Sequence, residues 1–399
     1  MTSRSLCSAG NRSLEDRPGG RYTSPSVDTI PTTALLGTKI STADWRWQAR
    51  QATTSLAALE KLIHLTDAER AGVRAAEAAG FPMAVTPYYL SLIDPDDPNC
   101  PIRRQCIPVA DESIEVPGDL RDPLGEEAHE VAPNLVQRYP DRVLLLCTDR
   151  CAVYCRFCTR SRMVGAGGGA ASLDKLEPAF RYIESHPEIH DVILSGGDPA
   201  VMASSRIAAL LERLAAIDHV DYVRFATRAP VTIPQRITED LCRALRTHPA
   251  VWVMTHFNHP KELTPESTEA CARLADHGIP VMNQSVLLRG INDSAETLET
   301  LFRGLLKRRV RPYYLLQADP VRGTGHLRTP LQTGLDLMAA LQGRVSGIAL
   351  PKLVVDTPGG HGKVPIAPEN IISRDGGTTI LETFRGERIA YLDPPESSQ

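Results

Sequence analysis

The chain has 399 residues, 42% hydrophobic and 23% charged, a globular composition with enough length for two or three domains or one large barrel. A net charge of −4 gives no reason to expect nucleic acid or an acidic membrane as partner, and no apolar run reaches the roughly eighteen residues of a membrane span. Nine cysteines, clustered and odd in number, and an N-terminus without the apolar core of a secretory signal make a reducing cytoplasm the expected location.

Residues 1–37 are rich in Ser, Thr, Arg, Gly and Pro and predict a disordered or loosely attached extension. From Asp44 to Ala79 apolar residues recur at helical spacing until Gly80 stops the pattern, and an irregular, proline-punctuated stretch follows. Residues 38–137 therefore read as a mostly helical N-terminal region with a long loop. A rhythm of strand-length apolar runs then sets in at 143–148, 192–196, 222–227, 251–257, 280–288 and 312–319, with helical patterns such as "RIAALLERLAAI" between them. This alternation predicts βαβ units, a parallel sheet and right-handed crossovers, and six repeats favour a barrel or partial barrel. A seventh run, "IALPKLVVDTP", leads into a glycine turn, and the remaining residues read as short strands and loops. The boundaries read this way are 138–330 for the barrel and 331–399 for a C-terminal α+β segment.

The unusual polar residues follow these runs: the cysteine cluster after 148, "SGGDP" at 195–199, Arg228, His256 and Asn258, Gln284, Asp319 and Asp356. Catalytic groups of (β/α) barrels gather at the C-terminal strand ends, so one shared site is expected.

"CAVYCRFCTR" carries Cys151, Cys155 and Cys158 in the spacing C-x3-C-x2-C. Three thiolates on a four-iron cluster leave one iron open for another ligand. The alternatives are a zinc site completed by a distant residue and three reduced core cysteines. C-x3-C-x2-C with an aromatic before its last cysteine resembles the signature of radical S-adenosylmethionine enzymes. With "RYPDRVLLLCTDRCAVYCRFCTR", "VILSGGDP", "APVTIPQRIT", "THFNHPKELT", "NQSVLLRGIND", "HLRTP" and "VVDTPGGHGK", the chain resembles the lysine 2,3-aminomutase family from about Thr86 to Ile380. That resemblance implies an α/β fold: a partial (β/α)6-type radical S-adenosylmethionine barrel between the helical N-terminal region and the C-terminal segment. It also implies a [4Fe–4S] cluster whose open iron is chelated by S-adenosylmethionine.

"DTPGGHGKVP" presents Lys363 on a glycine turn. As a P-loop it fails, since Thr357 stands where Gly is needed and Val364 where Ser or Thr is needed. An exposed lysine on a turn is the plain reading of GGxGK alone. The resemblance makes Lys363 the Schiff-base partner of pyridoxal 5′-phosphate, with the glycines letting it swing aside. Arg138 and Arg142, read without the resemblance as charges flanking a turn, become that cofactor's phosphate contacts. Ser195, Gly196, Gly197 and Asp198 match S-adenosylmethionine contacts: glycines admit a close backbone and the acid can accept from the methionyl ammonium. His256, on its own more readily a satisfied core histidine, and Gln284 match positions near the same cofactor.

Arg160 matches the residue that pairs with the substrate carboxylate. Asp319 and Asp356 match the positions that hold the ε-ammonium of lysine, and two converging carboxylates repel unless a cation lies between them. The expectation is an isomerase interconverting L-lysine and β-lysine, served by an electron donor such as flavodoxin or ferredoxin. Arginine or ornithine as substrate, a branch modifying a lysine residue for a translation factor, and a homo-oligomer stay open. An iron–sulfur electron carrier is the non-enzyme alternative, but it needs four protein ligands and has no use for Lys363. No cysteine follows Cys271, and Ser294 stands where larger members carry a zinc-binding cysteine, so no zinc is expected. Phe157 replaces a histidine and Leu316 a tyrosine of the classical lysine enzymes.

Overall fold

The computed structural model describes residues 44–394 except 79, 80 and 166, so the extension expected over 1–37 lies outside the described residues. Ten strands form one sheet in chain order. They are β1 (Glu130–Ala132), β2 (Leu135–Tyr139), β3 (Arg142–Thr148), β4 (Asp191–Gly196), β5 (Tyr222–Ala226), β6 (Val251–Thr255), β7 (Val281–Leu287), β8 (Val310–Gln317), β9 (Lys352–Thr357) and β10 (Gly362–Ile366). From β3 to β9 every pairing is parallel, and antiparallel hairpins flank this run, β1–β2–β3 at one end and β9–β10 at the other.

Each parallel crossover carries a helix: Leu173–Glu184, Ser204–Ala215, Glu239–Leu245, Pro265–Asp276, Ala295–Lys307 and Leu331–Leu341. Four begin at a Ser or Thr cap, Ser172, Thr238, Thr264 and Ser294, whose side chain accepts from the backbone N–H three residues on. Each such cap contributes about 1 kcal/mol. The strands bury alternate residues beneath these helices, as in Val143, Leu145 and Cys147, while intervening side chains face the concave interior. The last crossover and β9 belong to the same parallel sheet, which therefore runs past the boundary read at residue 330. The physical reason is that β9 buries Leu353 and Val354 and pairs with β8 in register.

The N-terminal region departs from a mostly helical reading. Its helices are short, Trp45–Arg50, Leu56–Leu59, Asp67–Ala78, Pro87–Leu90 and Arg103–Cys106, and it ends in β1 and β2. The periodic stretch from Asp44 breaks because Thr53 pairs with Val85 as a β-bridge and Ser55 and Thr66 start new helices. Asn134 supplies the left-handed turn between β1 and β2. One hydrophobic core nevertheless runs from Leu59 through Tyr89 and the barrel helices to Leu353. A separate antiparallel sheet, β11 (Ile371–Asp375), β12 (Thr378–Glu382) and β13 (Arg388–Leu392), follows.

The two ends of the ten-stranded sheet meet through side chains. Arg138 of β2 reaches Asp356 of β9, and the Tyr139 hydroxyl accepts from the Lys363 backbone N–H of β10 at 2.7 Å. These contacts curl the sheet around a cavity of about 450 Å³.

Candidate active site

Lys363, the second residue of β10, stands opposite Asp356 in the hairpin register and its Nζ donates to Asp356 Oδ2. It is thus carried on a strand rather than on the glycine turn itself. The turn is held from outside: Gly359 N–H donates to Pro123 O at 3.0 Å, and a Cβ on Gly360, at φ +84°, would lie 2.6 Å from His129 Cε1 and 2.9 Å from Leu124 O. Arg138 donates to the other oxygen of Asp356 at 2.5 Å. Burial alone would raise the Asp356 pKa, but the Lys363 charge and the hydrogen bonds from Arg138 and Lys363 hold it below the usual carboxylate range.

Asp319, just after β8, has no such partner. Burial first, then the Asp356 charge, pushes it up to about 7 against the weaker pull of Lys363, Arg138 and Arg160. Two acids and three cations therefore share one electrostatic site, with Asp319 short of a cation.

Arg160 enters the cavity from the cysteine loop. Buried Glu126 accepts from its Nε and Nη2 at 2.9 and 2.7 Å and from Arg162 at 3.1 Å, while Arg160 Nη1 reaches Ser195 Oγ at 3.4 Å. Burial opposes the charge of Glu126, yet the two arginines keep its pKa low. Arg142 stacks over the Tyr139 ring, 3.7 Å from its centroid, and pairs with Asp141. Arg138, Arg142, Arg160, Ser195, Gln284, Asp356 and Lys363 all line the cavity. Its floor adds Tyr222, Tyr313 and Tyr314, with Arg224 paired to Asp191 at 2.6 Å.

Cys151, Cys155 and Cys158 lie half-buried on the loop after β3. Burial first, then the Asp198 charge and the neighbouring cysteines, raise Cys151 well above its ordinary value, and burial with the Cys155 charge raises Cys158 to about 11. Thiols that oppose one another's ionisation need a shared cationic centre to exist as thiolates. Among the described residues no three His, Cys, Asp or Glu side chains close on a single ion.

Gly196 and Gly197 serve the protein's own backbone. A Cβ on them would lie 2.4 Å from Thr148 O and 2.3 Å from Arg150 O, so they let the β4 end pack against the cysteine loop. Asp198 likewise faces the protein: Oδ1 accepts from Ala200 N–H at 2.9 Å and Thr227 Oγ1 at 2.6 Å, and Oδ2 from Arg228 N–H at 2.9 Å. One lone pair on Oδ2 is left for a ligand. His256 packs at a tilt against Phe157, ring centroids 5.3 Å apart, and burial followed by the Arg228 charge drives its pKa down to about 3, so it is neutral. Asn258 Oδ1 accepts from Val286 N–H at 2.9 Å and its Nδ2 donates to Gln105, which fixes the amide. His256 Nε2, 3.0 Å from that oxygen, must then carry the proton, leaving Nδ1 a free acceptor.

Sequence reading missed Glu126, Tyr139 and Arg228's contact with the cysteine loop. Tyr139 lies between Arg138 and Arg142 and its place was legible; Glu126 sits in a stretch without periodicity that carries no signal.

Residues 338–399 match the lysine-2,3-aminomutase family model and residues 145–301 match the radical SAM superfamily. The chain is 46% identical over 351 residues to an L-lysine 2,3-aminomutase from Clostridium subterminale, covering 88% of this chain and 84% of that one. It is 45% identical over 352 residues to the L-lysine 2,3-aminomutase of Fusobacterium nucleatum, covering 88% and 82%. A glutamate 2,3-aminomutase from Clostridioides difficile is 40% identical over 361 residues, covering 90% and 85%. The chain belongs to the lysine 2,3-aminomutase family of radical S-adenosylmethionine enzymes.

Proposed function

We propose that this enzyme interconverts L-lysine and β-lysine by moving the α-amino group to the adjacent carbon. The observation that carries the choice of substrate is the acid pair. Asp319 sits beside Asp356 with its pKa at about 7 and no side-chain cation bonded to it among the described residues, whereas Glu126, Asp191 and Asp356, which line the neighbouring cavity, are each paired with an arginine or Lys363. An ε-ammonium placed there supplies the missing cation, whereas a third carboxylate would be repelled.

The residues support a [4Fe–4S] cluster on Cys151, Cys155 and Cys158, S-adenosylmethionine near Ser195, Gly196, Gly197, Asp198, His256 and Gln284, and pyridoxal 5′-phosphate on Lys363. When bound, these groups supply radical generation at the cluster and electron delocalisation during nitrogen migration. The protein's part is positioning. Arg160, already oriented by Glu126, presents Nη1 for the substrate carboxylate. Arg138 and Arg142 offer guanidinium charge for a phosphate. Neutral His256 offers Nδ1 as an acceptor. Lys363 must leave Asp356 to act as a nucleophilic amine, and the acid is then available to the substrate.

A one-electron donor such as flavodoxin or ferredoxin and a cytoplasmic location complete the proposal, which includes no zinc ion. No helix among the described residues is long and apolar enough to cross a membrane. Replacing Lys363 by Ala tests the assignment. The variant should show no visible pyridoxal absorbance and no β-amino acid product; wild-type absorbance and turnover would refute it.

A further inference from the structure

Arg228 follows β5, is buried, and lies outside the lining of the Lys363 cavity. Four neighbours fix its guanidinium. Nε donates to His256 O at 3.1 Å, and Nη2 donates to Gln105 Oε1 at 2.6 Å, Glu262 Oε1 at 2.8 Å and the Tyr89 hydroxyl at 3.1 Å. Glu262 is itself fully buried and anchored by Tyr89 and by the backbone N–H groups of Asn258 and His259. With that edge tied to the N-terminal helices and the β6 loop, the remaining nitrogen is aimed: Nη1 lies 2.8 Å from Cys155 Sγ.

The three cysteines are not treated alike. Cys155 alone has a charged side-chain donor among the described residues. Hydrogen bonds to ligand sulfurs and local net charge set the reduction potential of an iron–sulfur cluster. A cation on a ligand sulfur stabilises the more negative, reduced state.

We propose that Arg228 is a positioning residue of the cluster, holding the Cys155 sulfur in place and raising the cluster's reduction potential through a charged N–H···S hydrogen bond. This rests on the cluster assignment made above.

The test is an EPR-monitored redox titration of the anaerobically reconstituted full chain, without S-adenosylmethionine. Variants are Arg228→Lys and the double change Arg228→Gln/Glu262→Gln, which leaves the local net charge unchanged, so that it reports the loss of the hydrogen bond to Cys155, and avoids leaving Glu262 buried and unpaired. The reduced fraction at a fixed potential should fall at least about tenfold in the double variant, equivalent to about 59 mV for a one-electron couple. Arg228→Lys, which keeps the charge, should lie between. Loss of iron and sulfide from a double variant that keeps a native circular dichroism spectrum, with a lowered potential in Arg228→Lys, also supports the proposal. Fully loaded clusters with wild-type potential in both variants overturn it. A wild-type chain that binds no four-iron cluster overturns the cluster assignment itself, a result distinguishable from the others.

Discussion

Asp356 on β9 accepts from Arg138 on β2 at 2.5 Å across 218 residues of sequence, joining the two ends of one sheet. The same carboxylate accepts from Lys363, its register partner on β10. One acid thus closes the barrel interior and holds the reactive lysine in place. It cannot serve a substrate ammonium equally well until Lys363 departs, which couples cofactor loading to substrate binding.

Asp319→Asn and Asp356→Asn should each raise the KM for L-lysine about 10- to 100-fold, the worth of one charged hydrogen bond. Steady-state kinetics on the loaded enzyme check this. The two variants should differ in apo stability: only Asp356→Asn removes the partner of Arg138 and Lys363, so thermal unfolding should shift downward in that variant alone.

Lysine binding should depend on pH through Asp319, whose pKa of about 7 in the free protein lies far above an ordinary aspartate. Substrate ammonium pairs with the ionised acid, so binding below that pKa must expel a proton. The KM should therefore rise as pH falls below about 7, approaching about tenfold per pH unit, and flatten above it. Asp319→Asn should abolish the slope in a KM–pH profile.

Gly360→Ala forces a side chain into Leu124 and His129 at a positive φ, a cost of about 1–3 kcal/mol. We expect a lowered melting temperature and slower, weaker uptake of pyridoxal phosphate, followed by absorbance. Substitution of Gly376, where nothing lies within 4 Å of a Cβ, provides the comparison, with its uptake unchanged.

Glu126→Gln keeps a hydrogen-bond acceptor beside Arg160 but removes the charge that orients it. The KM for lysine should rise about tenfold with kcat less affected, since the loss is of orientation in the ground-state complex. Equal falls in kcat and kcat/KM would instead place Glu126 in the chemical step.

The seven parallel strands were legible because burial beneath helices demands continuous apolar runs, and each run lies within a few residues of an observed strand. Spacing and resemblance together put Arg160, Asp356 and Lys363 in one site, and the structure has them lining one cavity. What escaped was set by long-range contact. β2 is a strand because β3 offers it an edge, and β1 because β2 offers the next one, not because Glu130–Tyr139 alternates cleanly. Nothing in the sequence told that Gly196, Gly197 and Asp198 also bind the β4 end to the cysteine loop and to Arg228 through close packing and hydrogen bonds. Glu126 owes its role to two arginines more than thirty residues away.

The most direct measurement is anaerobic turnover of the reconstituted enzyme, with S-adenosylmethionine, pyridoxal phosphate and a reductant, on equal concentrations of L-lysine and L-glutamate. We predict β-lysine as the dominant product, with β-glutamate near background. Preferential formation of β-glutamate, or no β-amino acid from a fully loaded enzyme, would contradict the assignment of Asp319 and Asp356 as the pair that selects a basic side chain.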